Sequence, residues 1–325
     1  MQLRQIGHAW ALVMGVLCGA APVGAETWPT RPVTLIVGAP AGSGSDAYAR
    51  VIAEQMGKTL GQRVVVDNKP GATGSIAAEQ VLRTGAAGYS LWVANQGVTE
   101  ISPSVYSALR WRVDDFVPVI RGVQAPLVLV AYAGLGVTSL AELVAWLKAN
   151  PRRAAYASYS PGTLSHLLGH RFGQAIGVEL AHVGYKGSPA QLTDIASGEV
   201  PFGFAQIQTA AALIKAGKLV PLATTGPQRF RLLADVPTAA ELGHPDLTAT
   251  IWFGLFASAA TPPDTLRRIV EAAASAHADP DVRTRLEAQG QEVSGETGAS
   301  FAQSVRVNAR RWGQQARSAG LTPSE

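Results

Sequence analysis

The sequence predicts an α/β fold divided into two lobes. Apolar β-runs alternate with segments of helical period along most of the chain, the pattern of sheets covered by helices, and the alternation implies mainly parallel strands. Once the first 25 residues are set aside, 300 remain, more than one hydrophobic core usually organises. Those first 25 read as an export signal: Arg4 opens it, residues 9–21 are apolar and uncharged, and Val23, Gly24 and Ala25 form a small-residue cleavage site. The apolar run is too short to span a bilayer, so the expected location is the periplasm, with a mature chain beginning near Glu26.

The elements follow in order. Residues 33–39 form the first strand, and Tyr48, Val51, Ile52, Met56 and Leu60 then recur at helical spacing up to a stop at Gly61. Strands at 63–67 and 90–94 flank a turn-rich loop at 69–75 and a helix over 76–83. Residues 116–130 are two strands or one long bent strand, interrupted by Gly122 and Pro126, and make the first crossing between lobes. Ser139 and Glu142 form a capping box for a helix ending at Asn150. Strand and helix segments continue at 154–158, 165–176, 180–185, 189–196, 200–204, 209–216 and 219–224. A last strong strand covers 252–258, and helices at 263–277 and 301–319 pack on the first lobe.

Composition excludes several classes of function. Cys18, the only cysteine, falls in the leader, so the mature chain has no disulfide, thiolate metal site or thiol nucleophile. The formal charge is +4 with only 15% charged residues, and no Lys/Arg run with interleaved aromatics occurs, which argues against nucleic acid as a partner. His166 and His170 share a helix face, but Leu167 replaces the Glu of a zinc-protease motif and no third ligand cluster is visible. His166 reads instead as a polar lining residue or helix-start partner. The G-x-S-x-G pattern of a nucleophile elbow is absent.

Two segments carry positive information. Where the first strand gives way to its helix, Gly42, Ser43, Gly44 and Ser45 let an anion approach the free N–H groups and the positive dipole end of the first turn. The same segment, with Ala47, fits the dinucleotide fingerprint G-x-G-x-x-A, and Asp67 stands where a ribose-binding acid belongs. Against a nicotinamide cofactor stand the export signal and the charge of Asp46; a tight turn without ligand is the other alternative. Residues 157–167 repeat the design in the other lobe, where Ser158, Ser160, Thr163 and Ser165 offer hydroxyls at a helix start, with plain N-capping by Thr163 or Ser165 as the alternative.

These segments, together with WPTRPV at 28–33, NKPGA at 68–72, GYSL at 88–91, YKGSPA at 185–190, GEV at 198–200, IKAGK at 214–218, DVPT at 235–238 and WFGL at 252–255, resemble the Bug-type extracytoplasmic solute receptors of tripartite tricarboxylate transport systems. The resemblance runs in order through essentially the whole mature chain. It implies a type II-like periplasmic binding protein, with residues 26–125 plus 247–325 as lobe 1 and 126–246 as lobe 2. Such a protein, acting as a monomer without catalysis, cofactor or metal, closes on a small carboxylate (a di- or tricarboxylate, an amino-acid-like or an aromatic acid) and delivers it to integral-membrane permease subunits. A sensor protein as partner, or an exported enzyme acting on a carboxylated substrate, are the alternatives.

Carried over by position, the first loop contributes Pro40, Ala41, Gly42, Ser43, Gly44, Ser45 and Asp46. The second contributes Ser158, Ser160, Gly162, Thr163 and His166, while Gln96, Gly97, Tyr185, Lys186 and Gln206 complete the wall. Asp46 is expected to cap its helix, with acceptance of a hydrogen bond from water or a ligand hydroxyl or amine as the alternative, and Lys186 to meet a second ligand carboxylate or Asp194. The chain departs from the family's pattern at Ala39, where an aromatic is common, at Ala205, where an acid is common, and at Glu100, an acid where none is usual.

Overall fold

The computed structural model describes residues 27–318; the leader, Cys18 and Ala319 lie outside the described residues. The strands are β1 (Val33–Val37), β2 (Val64–Asn68), β3 (Ser90–Asn95), β4 (Phe116–Tyr132), β5 (Ala155–Ser158), β6 (Ala181–Gly184), β7 (Phe202–Gln206), β8 (Leu219–Thr224), β9 (Thr250–Ser258) and β10 (Glu292–Thr297). The helices are α1 (Gly44–Leu60), α2 (Ser75–Thr84), α3 (Ser102–Val105), α4 (Leu140–Ala149), α5 (Leu164–Ile176), α6 (Ser188–Ser197), α7 (Ile207–Lys215), α8 (Pro263–Ala278), α9 (Pro280–Ala288) and α10 (Gly298–Ser318).

The sheet runs β2-β1-β3-β9-β4-β7-β5-β6, with β8 and β10 also paired to β4. Residues 116–130 are thus part of one continuous bent strand. Its first stretch pairs with β9 and β10, and from Leu127 onward it pairs with β7 and β8, so a single strand serves both lobes. The register slips between Pro118 and Ile120 and between Arg121 and Val123, where Pro without an N–H and a bulge bend the ladder.

The expectation of mainly parallel strands needs correcting. Among the named strands, parallel pairing is confined to β1 with β2 and β3 and to β5 with β6 and β7, where a helix returns the chain to the same end of the sheet. Every pairing made by β4 and β9 among the described residues is antiparallel, because these strands cross between lobes without an intervening return.

The helices form where their apolar faces meet the sheet. α1 buries Tyr48, Val51, Ile52, Met56 and Leu60 on one side and ends at Gly61 with φ 67°, the left-handed stop that glycine supplies. Ser139 caps α4, accepting the Glu142 N–H, and the Glu142 carboxylate reaches back to the Thr138 N–H and hydroxyl, with the Ser139 N–H also acting on it. α8 packs along α1 and β4, and α10 lies over β4 and α3, both on the first lobe. No helix among the described residues is long and apolar enough to cross a membrane. The loops that follow β1 and β3 in one lobe approach those that follow β5 and β7 in the other, Gly97 nearing Thr163 and Gly44 meeting Gln206; carboxyl ends of strands are where open α/β sheets bind ligands.

Candidate functional site

The first loop leaves β1 through Pro40 and Ala41, turns at Gly42 (φ 78°) and enters α1. Ser43 is the N-cap, its hydroxyl accepting the Asp46 N–H at 3.3 Å. Asp46 therefore does not take the capping position expected for it: it sits in the first turn, where Oδ2 accepts the Gly42 N–H and the Arg50 Nε, both at 3.0 Å. Burial acts to raise the Asp46 pKa, but Arg50, the Gly42 amide and Asn68 outweigh it and hold the carboxyl below its usual value. The acid is thus neutralised within its own lobe. Ser45, also buried, hydrogen-bonds through its hydroxyl to that of Ser43 at 3.2 Å.

The second loop follows β5 and turns at Gly162 (φ 67°). Neither hydroxyl weighed as a cap serves as one: Thr163 Oγ1 donates to Ser160 O at 2.6 Å, and Ser165 Oγ donates to Phe204 O at 2.5 Å. The N-cap Thr163 thus gives α5 no side-chain cap, and within the first turn the Ser165 amide faces the buried Tyr159 hydroxyl. Buried beneath the loop, the Ser158 hydroxyl meets His182 Nε2 at 2.7 Å, and the His182 ring stacks on His166 with centroids 3.7 Å apart and planes 10° from parallel. His166 Nδ1 accepts the Gly162 N–H at 3.1 Å, which places the ring proton on Nε2. Burial, then the neighbouring His182 and His170, depress the His166 pKa to about 3, and burial depresses that of His182 to about 4. His182 was not singled out from sequence; a lone polar residue in a short strand gives no periodic signal.

The two loops each touch the opposite lobe. A Cβ on Gly97 would lie 3.3 Å from Thr163 Cγ2, and one on Gly187 would lie 2.8 Å from Pro40 Cγ. Thr73 spans the gap, its hydroxyl 3.0 Å from that of Tyr106 and 3.3 Å from that of Ser160. It does so with φ 54°, a strained conformation for a β-branched residue and the kind of local cost that collects at ligand clamps. On the other side of the crevice the Gly44 N–H donates to Gln206 Oε1 at 3.1 Å.

The remaining wall residues have other engagements. The Gln96 carboxamide donates to Thr250 O and accepts the Trp252 N–H, both at 3.0 Å, tying β3 to β9. Tyr185 donates its hydroxyl to Asp194 at 2.8 Å, so Asp194 is held by Tyr185, and Lys186 is exposed beside it. Glu100 sits one turn beyond Gly97 on a π-helical turn, Gly97–Ile101, and faces away from the crevice toward α10. It is 1% exposed, with the polar ends of Trp252 and Asn308 and the cations Arg121 and Arg311 as its polar surroundings. Burial raises its pKa to about 8 against the opposing pull of Arg121, Trp252, Asn308 and Arg311.

Glu100 and the histidine pair give the stability profile two limbs of opposite sign. The folded Glu100 keeps its proton while the unfolded one ionises near 4.5, so its contribution is complete below that pH and is lost as pH rises toward 8. The histidines are neutral when folded and protonate near 6.5 when unfolded, so stability falls as pH drops from 6.5 through 4. Melting temperatures measured from pH 4 to 9 should show both limbs, and Glu100→Gln should remove only the alkaline one. A Glu100→Gln effect that is the same at pH 5 and pH 8 would contradict this assignment.

Two α/β lobes that share strand β4 are the architecture of periplasmic binding proteins. The chain belongs to the tripartite tricarboxylate transporter family receptors, whose description it matches over residues 48–321, and more particularly to their Bug-type members. Protein BugT of Bordetella pertussis is 33% identical over 286 residues, covering 83% of this chain and 88% of that protein. Among solved structures, the periplasmic binding protein BugD is 30% identical with a TM-score of 0.86, covering 91% of this chain and all of the other. R. palustris Rpa4515, solved with adipate, is 32% identical with a TM-score of 0.87 at the same coverages. The family is one of receptors, and BugD is a periplasmic binding protein.

Proposed function

We propose that this chain is exported to the periplasm, closes as a monomer on a small organic carboxylate, and delivers it to integral-membrane permease subunits. Lobe 1 comprises 26–125 plus 247–325 and lobe 2 comprises 126–246, with hinge motion between them. The observation that carries this reading is that the cap of α5 and the first residue of α1 each sit against the opposite lobe, Thr163 at Gly97 and Gly44 at Gln206. A carboxylate enclosed there would be met by neutral amide dipoles from both sides, without a buried cation to slow its release. Residues 40–46 and Ser158, Ser160, Gly162, Thr163 and His166 form the grip, and Gln96, Gly97, Tyr185, Lys186 and Gln206 the surround. The adipate held by the R. palustris relative supports the ligand class.

Thermal-shift screening of the mature protein against small carboxylates should reveal a binder, since a ligand well above its dissociation constant raises the melting temperature. Ser43→Glu should abolish that shift by placing a negative charge at the start of α1, with the circular dichroism spectrum unchanged. Undiminished affinity in this variant would remove the first loop from the site.

A further inference from the structure

Three carboxamides converge on the first residue of α1. Gln206, 5% exposed, accepts the Gly44 N–H from lobe 2. Gln291, fully buried just before β10, donates Nε2 to Gly44 O at 2.9 Å, and its Oε1 has no partner. Gln208, on the first turn of α7, brings its Nε2 so close that a Cβ on residue 44 would lie 1.7 Å away, and both of its polar atoms are buried without a hydrogen-bond partner. A buried amide left unmatched on both its donor and its acceptor is costly and uncommon, and calls for an explanation. Gln206 is the N-cap position of α7, so the starts of two helices, α1 from one lobe and α7 from the other, face each other here with glutamine amides between them.

We propose that Gln208 is a ligand-reading residue that donates its amide to the bound carboxylate between these two helix starts, committing the cleft to oxyacids in preference to amino acids. This rests on the carboxylate-capture reading above. Both helix starts carry partial positive charge, which attracts an oxyanion and repels an ammonium group. The one acid at the first cradle, Asp46, is already engaged by Arg50 and the Gly42 amide and is not free to balance a ligand amine. Gln208 supplies an N–H to a carboxylate oxygen and a carbonyl to a ligand hydroxyl, the pairing its two orphaned atoms lack.

The test is titration calorimetry of the full mature protein with matched pairs, adipate against 2-aminoadipate and succinate against aspartate, the pair containing the tighter oxyacid being decisive. The native protein should bind that oxyacid at least about tenfold more tightly than its amino counterpart. Gln208→Ala should weaken oxyacid binding by about tenfold or more, while the melting temperature without ligand holds or rises, because an unmatched buried amide has been removed. Gln208→Glu, nearly isosteric, should lose the oxyacid altogether by charge repulsion. Native affinity in both variants, or an amino acid bound as tightly as its oxyacid, would overturn the assignment of Gln208 and leave the capture reading standing. If neither these four acids nor any carboxylate of the thermal-shift screen binds the native protein, the carboxylate reading fails and this inference with it; where the screen gives a different acid, that acid and its amino counterpart form the decisive pair.

Discussion

Gly44→Val should reduce carboxylate affinity by about a hundredfold or more, the equivalent of roughly 2.8 kcal/mol, while both lobes remain folded. Residue 44 has an ordinary helical backbone, so valine there introduces no strain of φ. What it introduces is volume at the crevice. Even the Cβ would lie 1.7 Å from Gln208 Nε2 and 2.9 Å from Gln206 Oε1, and the two methyl groups extend further into the same space. Alanine could be accommodated by swinging the flexible end of Gln208; a β-branched side chain demands that the lobes separate. It would also screen the Gly44 N–H, the amide now accepted by Gln206 and offered to a ligand on capture. Calorimetry with a carboxylate that shifts the native melting temperature should show the loss, and small-angle scattering with that ligand present should show the variant more extended than the native protein. A variant that binds and compacts like the native chain would mean that the lobes do not meet at Gly44.

The local parts of this site could be read from the sequence because local chemistry determines them. Gly42 to Ser45 mark a strand-to-helix junction whatever surrounds it, and Thr163 to His166 mark a second. Which hydroxyl caps which amide was less legible: Ser43 and Asp46 both carry acceptors near the same N–H groups, and the presence of Arg50 one turn later, drawing Asp46 aside, decides between them. Gln206, Gln208 and Gln291 escaped notice, apart from the first, for another reason. Glutamine carries no charge and belongs to no motif, and its meeting with Gly44 spans 162 residues in one case and 247 in another.

At the level of fold, apolar runs located β1 to β9 well but carried no direction, so the antiparallel course of β4 and β9 was invisible. β10 gave no signal at all, being a polar edge strand interrupted by Gly295 in the left-handed region. α9 did leave a trace that went unused: Asp279 before Pro280 is a cap followed by a residue suited to the first helical position, and its carboxylate accepts the Asp281 and Val282 N–H groups.

Gly122→Ala should lower the melting temperature by roughly 5 °C or more, a large effect for one methyl group, through overpacking of about 3 kcal/mol. Gly122 lies at the register slip of β4 against β9, and a Cβ there would stand 2.0 Å from the Tyr48 hydroxyl, 2.5 Å from Tyr48 Cζ and 2.4 Å from His277 Nε2. These neighbours are fixed. His277 Nδ1 donates to Ala273 O at 2.7 Å, so Nε2 is the free acceptor and takes the Tyr48 hydroxyl at 3.0 Å. Burial lowers the His277 pKa, in keeping with a neutral ring, and Tyr48 is further stacked on Phe253 with centroids 6.4 Å apart. The tyrosine ring can move only by carrying α1 with it, and α1 begins one turn earlier at Gly44. The substitution should therefore weaken carboxylate binding as well as stability, although residue 122 contacts no residue of the grip. Tyr48→Leu combined with Gly122→Ala should cost less than the sum of the two single changes, because the smaller side chain makes room for the methyl group. Strict additivity in that cycle would show that Gly122 does not govern the seat of α1.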